Sequence, residues 1–375
     1  MAIGIFGGAF NPPHKEHINM IKKALEYGLE QIVIVPSKNP PHKNTCVTSF
    51  RQRVDMLNIA LLGVSNYVID EIENEDDSVH YTYEVLPKLI EKYKDVVFLI
   101  GGDSLIDFHT WRNPELIIKM CPLLVFARGE KSPEFLAAKK YWEDLGANIT
   151  VLDYEPEDVS STLVRHLLAL GYRDLIDEKV EHYIDDNGLY NDYASYIQKL
   201  SSILNSERFY HSIRTAKCAL YLNDKHKLGL NPDSVLLAGL LHDCAKKLEK
   251  DPSVDKEGVP KDSIGTPVEH QFLGAILAEK LFDVHNREIL DGIRYHTTGK
   301  ADMTTMEKLI YCADLLEEGR EYDFIPPLRK IMDEDFEKGF VACITQQYNY
   351  LRESKDEKDI YPLTVECAKY YMENK

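Results

Sequence analysis

The chain has 375 residues, a length that points to two domains, and its 44% hydrophobic content is ordinary for a globular protein. The net charge of −18 argues against a nucleic-acid partner, because phosphate backbones attract basic surfaces. No apolar run approaches a membrane span, no signal-peptide core opens the chain, and the seven cysteines form no C-x-x-C pair, so a reduced cytoplasmic protein without a membrane partner is expected.

Ile3, Ile5 and Phe6 read as a buried strand that stops at Gly7-Gly8, and Asn11-Pro12-Pro13 forms a turn. Ile18, Met20, Ile21 and Leu25 then recur at helical spacing. Strand, glycine turn and helix open a nucleotide-binding α/β unit, in which backbone N–H groups and the helix N-terminus face a phosphate. His14 and His17 can face the same phosphate from the first helical turn. Gln31 to Pro36 is a second strand, followed by Pro40-Pro41-His42-Lys43, and the two strands form a parallel βαβ pair whose loops open on one crevice. Phe50 to Leu62 reads as a helix, Tyr67 to Ile72 as a strand and Tyr81-Thr82 to Tyr93 as a helix. Val96 to Ile100 is an apolar strand ending at Gly101-Gly102-Asp103, with Trp111 beyond it. Leu123 to Ala127, leading into Arg128, and Ile149 to Leu152 complete the strands. Ser160, Ser161 and Thr162 at a helix start, with Arg165 one turn inside, exceed what capping needs and suit a phosphate cradle.

Residues 1–190 resemble the nicotinate-nucleotide adenylyltransferases of the nucleotidyltransferase superfamily. The matching pieces are Gly7-Gly8-Ala9-Phe10-Asn11-Pro12-Pro13-His14-x-x-His17, Pro40-Pro41-His42-Lys43, Tyr81-Thr82, Gly101-Gly102-Asp103 with Trp111, and Val159-Ser160-Ser161-Thr162-x-x-Arg165. The resemblance implies a Rossmann-like parallel sheet and adenylyl transfer from ATP, with Mg²⁺, to nicotinate mononucleotide. It implies catalytic roles for His14, His17, Lys43 and Arg165. It also implies that Gly7, Gly8, Phe10, Thr82, Gly101, Asp103, Trp111, Arg128, Ser160, Ser161 and Thr162 contact ATP or the mononucleotide. One position departs: the family usually has glycine between the histidines, and here it is Glu16.

After Asn187-Gly188 the composition changes, strand runs cease, and residues 191–375 read as an all-α domain. Lys247 to Ser263 reads as a polar surface loop. His211, His242-Asp243, His270, His296 and Asp314 are spread over five helical segments, and imidazoles with carboxylates are ligands for divalent transition metals. This half resembles the HD superfamily of metal-dependent phosphohydrolases. Lys246 sits at the His-Asp-x-x-Lys spacing, and Arg294-Tyr295-His296-Thr297-Thr298-Gly299-Lys300 with Ala313-Asp314 to Arg320 resembles the YqeK group of symmetrical diadenosine tetraphosphate hydrolases. That resemblance implies a pair of metal ions, iron by preference, held by His211, His242, Asp243, His270, His296 and Asp314. Lys246 would stabilise charge, with Thr298, Lys300 and Arg320 on the phosphate side. A bifunctional enzyme is expected. The alternatives are a different nucleotide phosphohydrolase in the second half, or a nucleotide-binding module weakened by Glu16 in the first. Whether identical copies assemble stays open.

Overall fold

The computed structural model describes residues 2–38, 48–74, 79–127, 132–154 and 159–373. The chain divides into two compact units, 1–165 with 172–190, and 166–171 with 191–375. Residues 166–171, which the sequence division at 190 assigns to the first unit, group with the second.

In the first unit six strands, β1 (Ile3–Gly8), β2 (Gln31–Pro36), β3 (Tyr67–Ile69), β4 (Val96–Gly101), β5 (Leu123–Ala127) and β6 (Ile149–Asp153), form one parallel sheet in the order β3-β2-β1-β4-β5-β6. Alternation decides which side each residue serves. Ile5 buries with Val33, Val35, Phe98, Ile100 and Val125 on one face, and Phe6 with Ile32, Ile34, Leu99, Leu124 and Phe126 on the other. Both faces are covered, which is why the strands read as continuous apolar runs. The order reverses between β1 and β4, and such a switch point leaves a crevice beyond the carboxyl ends of the strands. The strand expected over Tyr67 to Ile72 ends early. The Asp70 backbone N–H donates to Ile34 at 2.8 Å, but its carboxylate accepts from Ile72 N–H at 3.2 Å and starts a short 3₁₀ turn, Ile72–Asn74.

The second unit is helical throughout its described residues. The helix Pro232–Leu241 is apolar on nearly every side and is buried almost completely. It crosses the helix Ser206–Lys225 closely: a Cβ built on Gly239 would lie 2.7 Å from the Ala216 Cα, so only glycine fits the crossing. The helices Glu269–Phe282, Arg287–Arg294 and Thr305–Leu316 pack around this pair, and Ile325–Glu334, Phe336–Ser354 and Pro362–Glu373 complete the unit. The segment Lys247 to Ser263 is not simply a surface loop. Val259 and Ser263 are buried, and Lys256 Nζ pairs with the buried Glu269 at 2.5 Å. Among the described residues, no helix is long and apolar enough to cross a membrane.

Candidate active sites

The chain leaves β1 through Phe10, at a left-handed φ of 46°, and turns into the helix Lys15–Tyr27. Its first turn fixes the histidine pair. His17 Nδ1 accepts the His14 backbone N–H at 3.2 Å, and the two rings stack with centroids 3.6 Å apart. Phe10 stands edge-on to His17 at 5.0 Å. A neutral imidazole that accepts at Nδ1 carries its proton on Nε2, so His17 is a donor suited to a phosphate oxygen.

A cavity of about 230 Å³ opens beside this turn, lined by Gly7, Gly8, Ser37, Glu73, Thr82, Phe98 and Trp111 among others. A Cβ on Gly7 would meet nothing within 4 Å, so the glycine leaves backbone bare to the cavity. Trp111 is braced by Phe108 at 4.9 Å and Phe98 at 6.2 Å. These largely apolar walls with a few polar groups suit a flat heteroaromatic ring. Burial raises the Glu73 carboxyl above its ordinary value, although the Lys38 backbone N–H donates to it at 3.1 Å.

Two arginines hold the loops of this crevice. Arg53, 1% exposed, donates from Nη1 to the carbonyls of Ala9 at 2.6 Å and Ser37 at 2.7 Å, and from Nη2 to that of Lys38 at 3.1 Å. It thereby ties the chain leaving β1 to the chain leaving β2, through charge-assisted bonds that offset the cost of burying a guanidinium. Arg165 donates from Nη1 to the Asn11 carbonyl at 2.8 Å and from Nη2 to Thr162 Oγ1 at 3.2 Å. The Tyr190 hydroxyl donates to Asn11 Oδ1 at 2.6 Å. The Asn11 turn is thus fastened from two sides.

In the second unit the close crossing at Gly239 places His242, one residue past its helix, against His211. Their Nε2 atoms lie 3.2 Å apart, and His211 Nε2 is 3.0 Å from Asp314 Oδ1. On the other side His270 Nε2 lies 3.2 Å from His296 Nε2 and 3.4 Å from Asp243 Oδ1. Two sets of potential ligand atoms, His211–His242–Asp314 and His242–Asp243–His296, share His242, and within each set the atoms lie within 4.8 Å of one another. The outer nitrogens are spoken for: His242 Nδ1 donates to the Gly239 carbonyl at 2.8 Å and His296 Nδ1 to that of Ile293 at 2.7 Å. Each fixed tautomer turns an Nε2 lone pair inward, as metal ligands require.

Charge agrees with geometry. Burial pushes His242 down to about 4, and burial with the neighbouring His296 pushes His270 down to about 3. For Asp243 and Asp314 burial opposes ionisation, but the surrounding histidines, joined at Asp314 by the Arg320 guanidinium, outweigh it and hold both carboxyls well below the usual range. Burial also opposes protonation of His211, but hydrogen bonds to Asp314 and Glu317 outweigh it and raise that imidazole to about 9. Neutral imidazoles and ionised carboxylates are the states a cation binds, and His211 would release its proton on binding. Imidazoles with carboxylates fit two adjacent divalent transition-metal ions. Three cations border the cluster: Arg208 Nη1 donates to Asp243 Oδ2 at 2.9 Å, Arg320 Nη2 to Asp314 Oδ1 at 2.7 Å, and Lys246 Nζ lies 2.9 Å from His270 Nδ1.

Comparison with known proteins places both units. A cytidylyltransferase-like family model matches residues 5–167, and an HD domain model matches residues 208–319. A "Probable nicotinate-nucleotide adenylyltransferase" of Clostridium acetobutylicum is 37% identical over 194 residues, covering 50% of this chain and 97% of that protein. The chain belongs to the nicotinate-nucleotide adenylyltransferase family. It carries an HD domain after the adenylyltransferase domain, and relatives from two Mycoplasma species have a name that covers both. A Mycoplasma genitalium "Probable nicotinate-nucleotide adenylyltransferase/Ap4A hydrolase" is 26% identical over 325 residues, 85% of this chain and 88% of that protein. A solved structure titled as a predicted HD superfamily hydrolase involved in NAD metabolism, from Clostridium acetobutylicum, is 27% identical, with a TM-score of 0.43 over 49% of this chain and 98% of that one.

Within the adenylyltransferase domain, Gly7, Gly8, Thr82 and Trp111 line one cavity, while Gly101 and Asp103 sit where β4 passes into the short helix Gly102–Ile106. Phe10 is buried and stands edge-on to His17. Ser160 Oγ accepts from the Leu163 backbone N–H at 3.1 Å, so it caps its helix, while Ser161 and Thr162 stand at the helix start beside Arg165. Lys43, with the Pro40–Lys43 motif, and Arg128 lie outside the described residues. Within the HD domain two expected phosphate contacts have protein partners of their own. Thr298 is 1% exposed and its hydroxyl accepts from Gln271 Nε2 at 2.9 Å, while Lys300 Nζ pairs with the buried Glu307 at 3.2 Å. The neighbouring Thr297 reaches the cluster, with Oγ1 3.1 Å from His270 Nε2.

Glu16 is turned aside. It is 6% exposed, and its carboxylate accepts from the Tyr154 hydroxyl at 3.1 Å. A carboxylate in the first turn is also favoured by the helix dipole. Glu16→Gly is therefore expected to cost stability, about 1–2 kcal/mol from the lost hydrogen bond and the helical glycine, with adenylyl transfer close to wild type. Thermal unfolding alongside steady-state kinetics checks this; a large loss of turnover would give Glu16 a direct part in the reaction.

Glu317 bears on the metal cluster from behind. Its Oε1 is 3.0 Å from His211 Nδ1, and its Oε2 accepts from Arg214 Nε at 2.6 Å and from the Gly319 backbone N–H at 2.5 Å. Carboxylates that orient a ligand histidine typically contribute ~10–100-fold in metal affinity. Glu317→Gln is expected to weaken metal binding by roughly that factor, read by competition with a chelator. Unchanged affinity would show that Arg214, not His211, is the partner that matters to Glu317.

Proposed function

We propose that the first domain transfers the adenylyl group of ATP to nicotinate mononucleotide, releasing pyrophosphate, and that the HD domain hydrolyses diadenosine tetraphosphate to two ADP. The observation that carries the reading is the match over 325 residues to a relative whose name joins both activities. In the first site the mononucleotide phosphate displaces pyrophosphate from the ATP α-phosphorus. No protein nucleophile is needed, so catalysis is positioning and charge stabilisation. His17 donates from Nε2 and His14 stacks on it; Ser161, Thr162 and Arg165 hold the triphosphate, with Lys43 and Arg128 assisting. Gly101 and Asp103 meet the ATP. The cavity with Trp111 and Thr82 receives the pyridine ring, and Mg²⁺ accompanies the ATP.

In the second site His211, His242, Asp243, His270, His296 and Asp314 hold a pair of divalent ions, iron by preference, which supply Lewis acidity and an activated water when bound. Arg208, Lys246 and Arg320 receive the charge of the polyphosphate. The test is to incubate the purified, metal-loaded chain with ATP plus nicotinate mononucleotide, and separately with diadenosine tetraphosphate, and to separate the products by chromatography. Nicotinate adenine dinucleotide in the first and ADP alone in the second are expected. AMP and ATP in the second, or no turnover in either, overturn the corresponding half.

A further inference from the structure

The loop that follows the Asp314 ligand is held rigidly. Arg320 donates from Nη2 to Asp314 Oδ1 at 2.7 Å and from Nε to the Asp314 carbonyl at 3.1 Å. From behind, Arg329 donates to the carbonyls of Leu316 at 2.9 Å, Glu317 at 2.5 Å and Arg320 at 3.3 Å. Two residues beyond Arg320 this fixed loop presents Tyr322, 53% exposed, whose ring lies parallel to Phe324 with centroids 5.3 Å apart and planes within 1°. Phe324 is itself braced by Tyr350 at 6.2 Å. The outer ring, Tyr322, stays largely in water. The pair has the form of a stacking platform, with one face supported and the other open. Two residues span at most about 7 Å of backbone, so the platform follows closely along the chain on the cation that borders the metal cluster.

We propose that Tyr322, backed by Phe324, is the stacking surface for a purine base of the nucleotide whose phosphates meet Arg320 and the metal cluster. The assignment rests on the hydrolase reading above and adds what that reading lacks, a residue that recognises the nucleoside. A phosphate chain alone cannot distinguish a dinucleoside polyphosphate from inorganic polyphosphate; a ring that stacks on the base can. Stacking tolerates any purine, so the platform selects for a base rather than for adenine.

The experiment compares the metal-loaded wild type with Tyr322→Ala and Tyr322→Phe. With diadenosine tetraphosphate, Tyr322→Ala is expected to raise KM roughly 5- to 100-fold, the range that a stacked base contributes, with a much smaller effect on kcat. Tyr322→Phe keeps the ring and is expected to keep KM near wild type. Inhibition by ADP should weaken in Tyr322→Ala by a similar factor, and inhibition by inorganic pyrophosphate should not. Equal KM in wild type and Tyr322→Ala, or equal weakening toward ADP and pyrophosphate, overturns the platform. Wild-type protein that leaves diadenosine tetraphosphate intact overturns the hydrolase reading instead, and ADP binding by the three proteins then still decides the platform.

Discussion

His17→Ala is expected to lower dinucleotide synthesis by about 10²–10³-fold, the usual cost of removing one preorganised donor to a charge that develops in the transition state. The geometry makes the ring a fixed donor. Its Nδ1 accepts the His14 backbone N–H, which assigns the proton to Nε2, and Phe10 and the His14 ring hold its plane. A donor that is already oriented costs no reorganisation as the α-phosphorus is attacked, so its loss falls mainly on kcat. The variant also loses a hydrogen bond of the first helical turn, for about 0.5–1.5 kcal/mol, so thermal unfolding should be followed beside the rate. Hydrolysis of diadenosine tetraphosphate by the same protein is expected to stay near wild type, since its site is built from residues of the other unit. Synthesis at wild-type kcat would remove His17 from the transition state.

Much of this was legible along the chain because the signals are local. Ile5 and Phe6 announce a two-sided strand, Gly7-Gly8 its end, and His14 with His17 a shared helical turn. The residues that gather into the His/Asp cluster were legible for a different reason: His242-Asp243 at the end of a helix as apolar as Pro232–Leu241 must be partnered. What could not be read are residues whose partners are distant in sequence. Arg53 reads as one polar position of an amphipathic helix, yet it is 1% exposed and clasps the carbonyls of Ala9, Ser37 and Lys38. Glu73 reaches the cavity only because Asp70 breaks β3 early. Glu317 sits three residues past Asp314, so a search for a carboxylate one helical turn from a ligand could have found it. Arg208, three before His211 on the same helix, could have been found in the same way. Thr298 and Lys300 suit phosphate by type, and the structure adds partners that the sequence does not show, Gln271 and Glu307. Composition carries no trace of those pairings.

The other large effect is expected from Asp243. This residue belongs to one ligand set and stands close to the other: its Oδ1 lies 3.4 Å from His270 Nε2 and 3.7 Å from His296 Nε2, while its Oδ2 lies 3.8 Å from His242 Nε2 and 3.9 Å from His211 Nε2. A carboxylate between two sets of imidazoles is placed to bridge two cations, so Asp243→Ala is expected to empty the site rather than weaken one position. Four histidines would then face one another with Asp314 as the carboxylate left on their Nε2 side, 3.0 Å from His211 Nε2, while Glu317 and Glu249 face the Nδ1 atoms of His211 and His270. Arg208, which donates to Asp243 at 2.9 Å, would lose its counterion and add positive charge where cations must bind. Metal analysis of the purified variant should find well under one ion per chain, against about two for the wild type in the binuclear reading. Hydrolysis of diadenosine tetraphosphate should fall by at least ~10³-fold, because both the activated water and the neutralisation of phosphate charge depend on the ions. Asp243→Asn sharpens the test, since it keeps size and one oxygen donor but removes the charge; its metal content should lie between the two. Synthesis of the dinucleotide serves as the internal check on folding and should be retained in both variants. Full metal occupancy in Asp243→Ala would mean that the ions are held by His211, His242 and Asp314 alone, and the second set, with His270 and His296, would need a different role.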